Sequence, residues 1–162
     1  MSRLDSFIRR LQAQRACLDA AVDLVGDLPG AVFELGLGNG RTYDHLREAC
    51  PGREIFVFER KVAAHPDCVP DVEHLFEGCI EETLEAAAGR FGGRVALIHA
   101  DLGSGRADCD AAVSAFVAAR LPLLLTSGGV VVSDQDVGWS GAEPLALPPG
   151  VRAGRYYLYR KA

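Results

Sequence analysis

The chain has 162 residues, a formal net charge of −5, 49% hydrophobic residues and 24% charged ones. That length suits one domain around one core. No apolar run approaches the roughly 20 residues of a membrane-spanning helix, and the negative balance argues against nucleic acid, whose phosphates need a basic surface.

In chain order, Met1–Arg10 has arginines and an acid but no apolar signal core, and reads as mature cytoplasmic protein. Leu4, Phe7, Ile8, Leu11, Leu18, Val22 and Val25 recur at helical spacing, so 3–26 is expected to be an amphipathic helix with at most one break, within an N-terminal helical segment 1–28. Asp27-Leu28-Pro29-Gly30 stops it. Residues 31–36 read as a buried strand, 41–49 as a helix and 54–59 as a second strand. An irregular stretch with Pro66 and Pro70 leads to a weak strand at 72–76 and a helix at 81–91, stopped by Gly92-Gly93. Residues 94–100 form a strong buried strand, 107–120 an Ala-rich helix, and Gly128-Gly129 introduces a strand at 130–133. The tail, 142–161, reads as a hairpin around Pro148-Pro149-Gly150. Apolar strands alternating with helices predict a mostly parallel sheet covered on both faces, with ligands at the carboxyl ends of its strands. The five cysteines (Cys17, Cys50, Cys68, Cys79 and Cys109) are odd in number and contain no C-x-x-C pair, so reduced core residues are expected.

The informative segment is Glu34-Leu35-Gly36-Leu37-Gly38-Asn39-Gly40, between a strand and a helix. A dinucleotide fingerprint G-x-G-x-x-G would need glycine at 41, where Arg41 stands. Glu34 would repel a pyrophosphate and attract an ammonium or sulfonium group. Glu59 ends the second strand, about twenty residues beyond the loop, where an acid can accept both ribose hydroxyls. Together these favour a cationic adenosine ligand without phosphates.

At these residues the chain resembles the class I S-adenosylmethionine-dependent methyltransferases. Glu34–Gly40 is similar to their first motif, [D/E]-x-G-x-G-x-G, and Glu59 to their ribose-binding acid. Ala100-Asp101-Leu102 resembles the end of their fourth strand, and Gly128-Gly129-Val130-Val131-Val132 the entry to their fifth. The resemblance covers roughly 30–135. It implies a Rossmann-like, doubly wound α/β fold with a seven-stranded sheet of order 3-2-1-4-5-7-6, last strand antiparallel, in a single domain over 1–162. It also implies a cofactor site: Gly36, Gly38, Asn39 and Gly40 against the methionine part and ribose, Glu59 with neighbouring Arg60 at the ribose, and Asp101 with Leu102 near the methionine amino group or the reaction centre. Gly78, Cys79 and Ile80 stand where the family often reads adenine with a Gly-Asp pair, and Cys79 replaces the acid. Arg41 and Thr42 open the helix after the loop, where a helix N-terminus suits the cofactor carboxylate.

Methyl transfer from a sulfonium needs alignment, and a base only when the acceptor must lose a proton. Asp101 and Asp134 follow predicted strands at the ligand edge and are the catalytic candidates; Asp136 and His99 are weaker ones. His99, inside an apolar strand, is expected to be a satisfied core residue, whereas His45, His65 and His74 are expected at the surface. Asp101, Asp134 and Asp136 also fit a magnesium site, but loops use Asp freely, so no metal is assigned. Trp139 either walls an acceptor pocket or anchors its loop, and Tyr156, Tyr157 and Tyr159 suit a strand. A full family member has a helix between strands five and six, and 134 onward leaves little room for one. An uncovered apolar face there predicts a homo-oligomer. The expected function is methyl transfer to a small-molecule acceptor, with no nucleic-acid or membrane partner. A non-catalytic S-adenosylmethionine-binding or regulatory module is the alternative, and a nucleotide-dependent oxidoreductase is disfavoured by Arg41 and Glu34.

Overall fold

The computed structural model describes residues 2–162. Helix α1 (Arg3–Val25) starts on a capping box: the Ser2 hydroxyl accepts from the Asp5 amide at 3.0 Å, and the Asp5 carboxylate accepts from the Ser2 amide at 3.0 Å. The helix is unbroken. Its inward stripe is Ala13, Gln14, Cys17, Leu18, Ala21 and Val25, whereas Leu4, Phe7 and Ile8 stay 65%, 46% and 44% exposed. The apolar periodicity was therefore right about helix and wrong about burial in its first two turns.

Strands β1 (Ala31–Leu35), β2 (Ile55–Glu59), β3 (Leu75–Glu77), β4 (Val95–Ala100), β5 (Leu125–Ser133), β6 (Ala142–Pro144) and β7 (Tyr157–Lys161) make one sheet of order β3-β2-β1-β4-β5-β7-β6. β1 to β5 pair in parallel, and β7 runs antiparallel to both β5 and β6. Helices α2 (Arg41–Ala49), α3 (Ile80–Phe91) and α4 (Ala107–Leu124) and a short 3₁₀ turn at Pro66–Cys68 complete the chain. One core joins α1 and α2 to Val32, Val57, Leu97, Val130 and Val132. The other joins α3 and α4 to Phe33, Phe58, Ile98 and Val131. Alternate residues of each central strand thus feed opposite cores, as a doubly covered sheet requires.

Three boundaries differ from expectation. β3 lies at Leu75–Glu77, not 72–76, and Val72 is exposed. α4 continues past Arg120 through Pro122 to Leu124, because buried Leu121 and Leu124 hold the last turn on the core despite the amide that proline lacks. β5 begins at Leu125 rather than Val130; Gly128 (φ +79°) sits in a bulge where the register with β4 shifts. The tail hairpin forms as expected, with no helix between β5 and β6. The face that such a helix would cover, on the α3 and α4 side, is nevertheless closed: Val137 and Trp139 pack there with Val131 of β5 and Tyr157 and Tyr159 of β7. The physical reason given for an oligomer is thereby removed.

Candidate functional site

The strand ends bring together β1's glycine loop, Glu59 from β2, Gly78 after β3, Asp101 after β4 and Asp134 after β5. The three loop glycines have separate reasons to be glycine. At Gly36 (φ +91°) a Cβ would lie 2.5 Å from the Asp101 carbonyl oxygen, and at Gly40 (φ +85°) it would lie 2.4 Å from Cys68 Cβ. These two let backbone pass backbone. Gly38 (φ +53°) has no atom within 4 Å of its Cβ position, so it alone faces open space. The Glu59 carboxylate spans this opening. Oε2 accepts from the amides of Leu37 at 2.8 Å and Gly38 at 3.1 Å, and Oε1 accepts from Lys61 N at 3.1 Å. An acid held beside an open glycine, with no phosphate-binding cation on the loop, fits the hydroxyls of a nucleoside.

Glu34 requires a correction. It and His99 are register partners of β1 and β4 on the α1 side of the sheet, and neither has exposed surface. Glu34 accepts from Thr42 Oγ1 and lies 2.7 Å from His99 Nδ1. Its carboxylate is spent inside the protein, so it does not line the crevice as the charge argument assumed; it ties the start of α2 to β4. Thr42, half-buried, donates to this carboxylate and also lines a cavity between α1 and α2. Burial alone would push the His99 imidazole down, but the adjoining Glu34 carboxylate outweighs it and holds the ring above the usual histidine range, with Asp101 and Asp134 adding to this. His99 is a core residue as expected, yet only half satisfied: Nε2 is buried without a partner.

Asp101 and Asp134 do share a locale. Asp101 accepts from Gln14 Nε2 at 2.8 Å and from Arg10 Nη2 at 3.3 and 3.5 Å. Asp134 Oδ2 accepts from Gly103 N at 3.2 Å. Burial first, and the charge of Asp101 second, push the Asp134 carboxyl up to about 6. The Tyr156 hydroxyl is buried and unpartnered. Burial raises its pKa, the charges of Asp101 and Asp134 raise it further, and Arg10 pulls the other way. Arg10, Gln14 and Tyr156 escaped the sequence reading. A signal existed for the first two: they stand i, i+4 on one helix, and Gln14 interrupts an otherwise apolar buried stripe.

The remaining candidates fall around this centre. Asn39 Oδ1 accepts from the Arg41 amide at 3.2 Å, closing the turn into α2. Arg41 is exposed and lines, with Gln14, Arg15 and Ile8, a cavity of about 430 Å³ between α1 and α2. Arg60 is exposed beside Glu59. The Gly78 amide donates to the Glu59 carbonyl at 2.9 Å. Cys79 caps α3 from an extended conformation and turns its thiol to Glu81, and Ile80 and Leu102 are half-buried. Asp136 leaves the acid group: its Oδ1 accepts from the Tyr159 hydroxyl at 2.6 Å and from Gly138 N at 2.9 Å. Among the described residues no three His, Cys, Asp or Glu side chains gather as metal ligands. Trp139 packs on the second core and lines a cavity with Pro122 and Lys161, apart from Asp101 and Asp134, so it anchors its loop. His65 is exposed, whereas His45 pairs with Asp19 at 2.7 Å, and His74 pairs with Asp71 at 2.7 Å and stacks on Phe56.

Comparison with known proteins agrees with this geometry. A family described as S-adenosyl-L-methionine methyltransferase matches residues 1–161. The crystal structure of an S-adenosyl-L-methionine methyl transferase from Silicibacter pomeroyi DSS-3 is 46% identical, with a TM-score of 0.93, over 100% of this chain and 99% of that one. Human methyltransferase-like protein 13 in complex with SAH shares the fold at 14% identity and a TM-score of 0.58, over 93% of this chain and 81% of that one. The antibiotic-resistance methyltransferase Kmr does so at 12% identity and a TM-score of 0.53, over 90% and 91%. No match was found among curated proteins.

Proposed function

The chain belongs to the S-adenosyl-L-methionine methyltransferase family, and from that premise we propose that it methylates a small-molecule acceptor bound over Asp101 and Asp134. S-adenosylmethionine is the cofactor. The observation that carries the reading is the set of carboxylates Glu59, Asp101 and Asp134 around the one loop glycine, Gly38, that faces open space. Glu59 accepts the ribose hydroxyls, and the backbone of 36–40 lies along the methionine part. The N-terminus of α2 with Arg41 meets the carboxylate. Gly78, Cys79 and Ile80 would flank adenine by backbone and packing, and Leu102, beside Gly36, would lie near the methionine part. Asp101, which accepts from the Arg10 guanidinium, would take the amino group in its place. Bound there, S-adenosylmethionine supplies a methyl carbon activated by positive sulfur. Asp134 receives a proton from the acceptor, and a carboxyl lifted to about 6 takes it more readily than an exposed aspartate does.

Calorimetry with S-adenosylmethionine tests the site. Glu59→Ala should weaken binding by about 2 kcal/mol through loss of charged hydrogen bonds. Unchanged affinity would remove Glu59 from the ribose site. Methyl transfer to any small acceptor separates an enzyme from a binding module. We place this single-domain protein in the cytoplasm, where five free cysteines stay reduced. A homo-oligomer now rests on the exposed stripe Leu4, Phe7 and Ile8. Light scattering should then show more than one copy and Phe7→Glu should lower the mass; a monomeric wild type ends that proposal.

A further inference from the structure

We propose that the cavity between α1 and the tail is a second ligand site, built for the phosphate group of a small molecule. It measures about 380 Å³ and is lined by Arg9 and Arg15 of α1 and by Arg152 and Arg155 of the tail, over a floor that includes Ala13 and Ala16. That volume lies within the range of small-ligand pockets, about 300–1,000 Å³. Among the described residues no carboxylate lines it. The reason is written in the chain: no Asp or Glu stands between Asp5 and Asp19, nor after Glu143, so folding brings two acid-free segments together. Arg10, Arg47 and Arg120 each pair with a carboxylate, and Arg53 donates to backbone carbonyls. The four arginines of the cavity do neither among the described residues, and all four are exposed. In a chain of net charge −5, four like charges around one hollow run against the average and repel one another. A bound anion removes that repulsion.

A single carboxylate would answer one of the four charges. A phosphate monoester brings about two charges and three acceptor oxygens, which planar guanidinium forks meet bidentately. The cations close on one hollow rather than running as a track, so a compact ligand suits them better than a nucleic-acid backbone. The hollow also adjoins the proposed methyl-transfer site. Gln12 and Arg15 line both it and the cavity between α1 and α2, which Gln14 also lines, and Gln14 donates to Asp101. Arg9 is the chain neighbour of Arg10, which donates to Asp101 as well. Two sources of the phosphate fit this placement. It belongs to the methyl acceptor, anchored here while its other end reaches Asp134, or to a separate molecule bound beside the acceptor. The site itself stands apart from the methyltransferase reading under either source.

Calorimetry with inorganic pyrophosphate tests the site, on protein saturated with S-adenosylhomocysteine so that the probe is kept out of the cofactor crevice. Pyrophosphate should bind with a dissociation constant of about 1 mM or tighter at about 0.15 M salt, and acetate should not bind measurably. Arg9→Gln, and separately the pair Arg152→Gln with Arg155→Gln, replace exposed side chains, and an unchanged thermal melt shows that the fold is kept. The pair should weaken pyrophosphate at least about tenfold and the single change about threefold. Arg94→Gln, at the hollow by the amino ends of β1 and β4, should leave binding unchanged. Turnover with phosphoethanolamine beside ethanolamine, and phosphoserine beside serine, separates the two sources. A phosphate on the acceptor gives transfer to the phosphorylated member, with KM raised and kcat kept in the arginine pair. A separate ligand gives transfer to the unphosphorylated member, with a KM that pyrophosphate shifts. No binding of pyrophosphate, undiminished binding in both arginine variants, or loss of binding in Arg94→Gln instead would overturn the site. A short RNA that binds more tightly than pyrophosphate, and weakens in the same variants, would overturn the small-molecule class. Failure to bind S-adenosylhomocysteine would strike the methyltransferase reading alone, since the arginine variants still locate the anion.

Discussion

The two ends of the sheet make opposite use of charge. At the amino ends of β1 and β4 lies a cavity of about 810 Å³, lined by Arg53, Arg90 and Arg94 with Asp27 and Glu54. Helices α1, α2 and α3 all finish there, so their free carbonyls point at it. Arg53 answers them, donating to the carbonyls of Leu28 at 2.6 Å, Gly30 at 2.9 Å and Gly26. Arg90 lies flat on the rings of Phe56 and Phe91. At the carboxyl ends the polarity reverses: helix N-termini, open glycine backbone, and the acids Glu59, Asp101 and Asp134. Two of the cations at this hollow, Arg53 and Arg90, are engaged by the protein, whereas the carboxyl ends gather acids around open glycine backbone. The sign of the charge at each end, rather than volume, separates site from seam.

The buried Glu34–His99 pair under the crevice offers the largest effect. Glu34→Ala should cost about 3–5 kcal/mol in denaturant unfolding, because it strands a buried imidazole. A cost below about 1 kcal/mol would return Glu34 to the crevice as an open ligand group. Next, Gly36→Ala should cost about 3 kcal/mol through the clash with the Asp101 carbonyl, against about 1 kcal/mol for Gly38→Ala. Gly38→Ala should instead lower cofactor affinity, and equal behaviour of the two would erase the distinction between packing and ligand glycines. At the opposite end, Arg53→Met should lose about 2 kcal/mol of stability and leave cofactor affinity unchanged in calorimetry. A change in affinity would make the amino end part of the site.

A further expected effect is on pH. The folded protein keeps the Asp134 proton up to about 6, whereas the unfolded chain loses it near 3.8. The group therefore lowers stability progressively as pH rises from about 4 to 6, and the penalty is constant above. Asp134→Asn should be more stable than wild type at pH 7 and lose that advantage by pH 4. A thermal-melting difference independent of pH would mean the carboxyl titrates normally.

The amino-acid sequence by itself determined the order of strands and helices, the glycine loop and the placement of Glu59, Asp101 and Asp134 at strand ends. Those features are local: alternation and 3.6-residue periodicity, with glycine where φ turns positive, are written within a few residues of one another. Tertiary structure decided what each side chain touches. Glu34 looked like a ligand group until its register partner proved to be His99, 65 residues away. Arg10 and Gln14 escaped the sequence reading; α1 brings them to the end of β4, 91 and 87 residues from Asp101. α4 ran through Pro122 because buried leucines outweighed one missing amide, and the face left without a helix was closed by Val137, Trp139 and the tyrosines of β7. A charge or an apolar stripe has no fixed meaning until distant chain packs on it, because burial and partner together set its free energy.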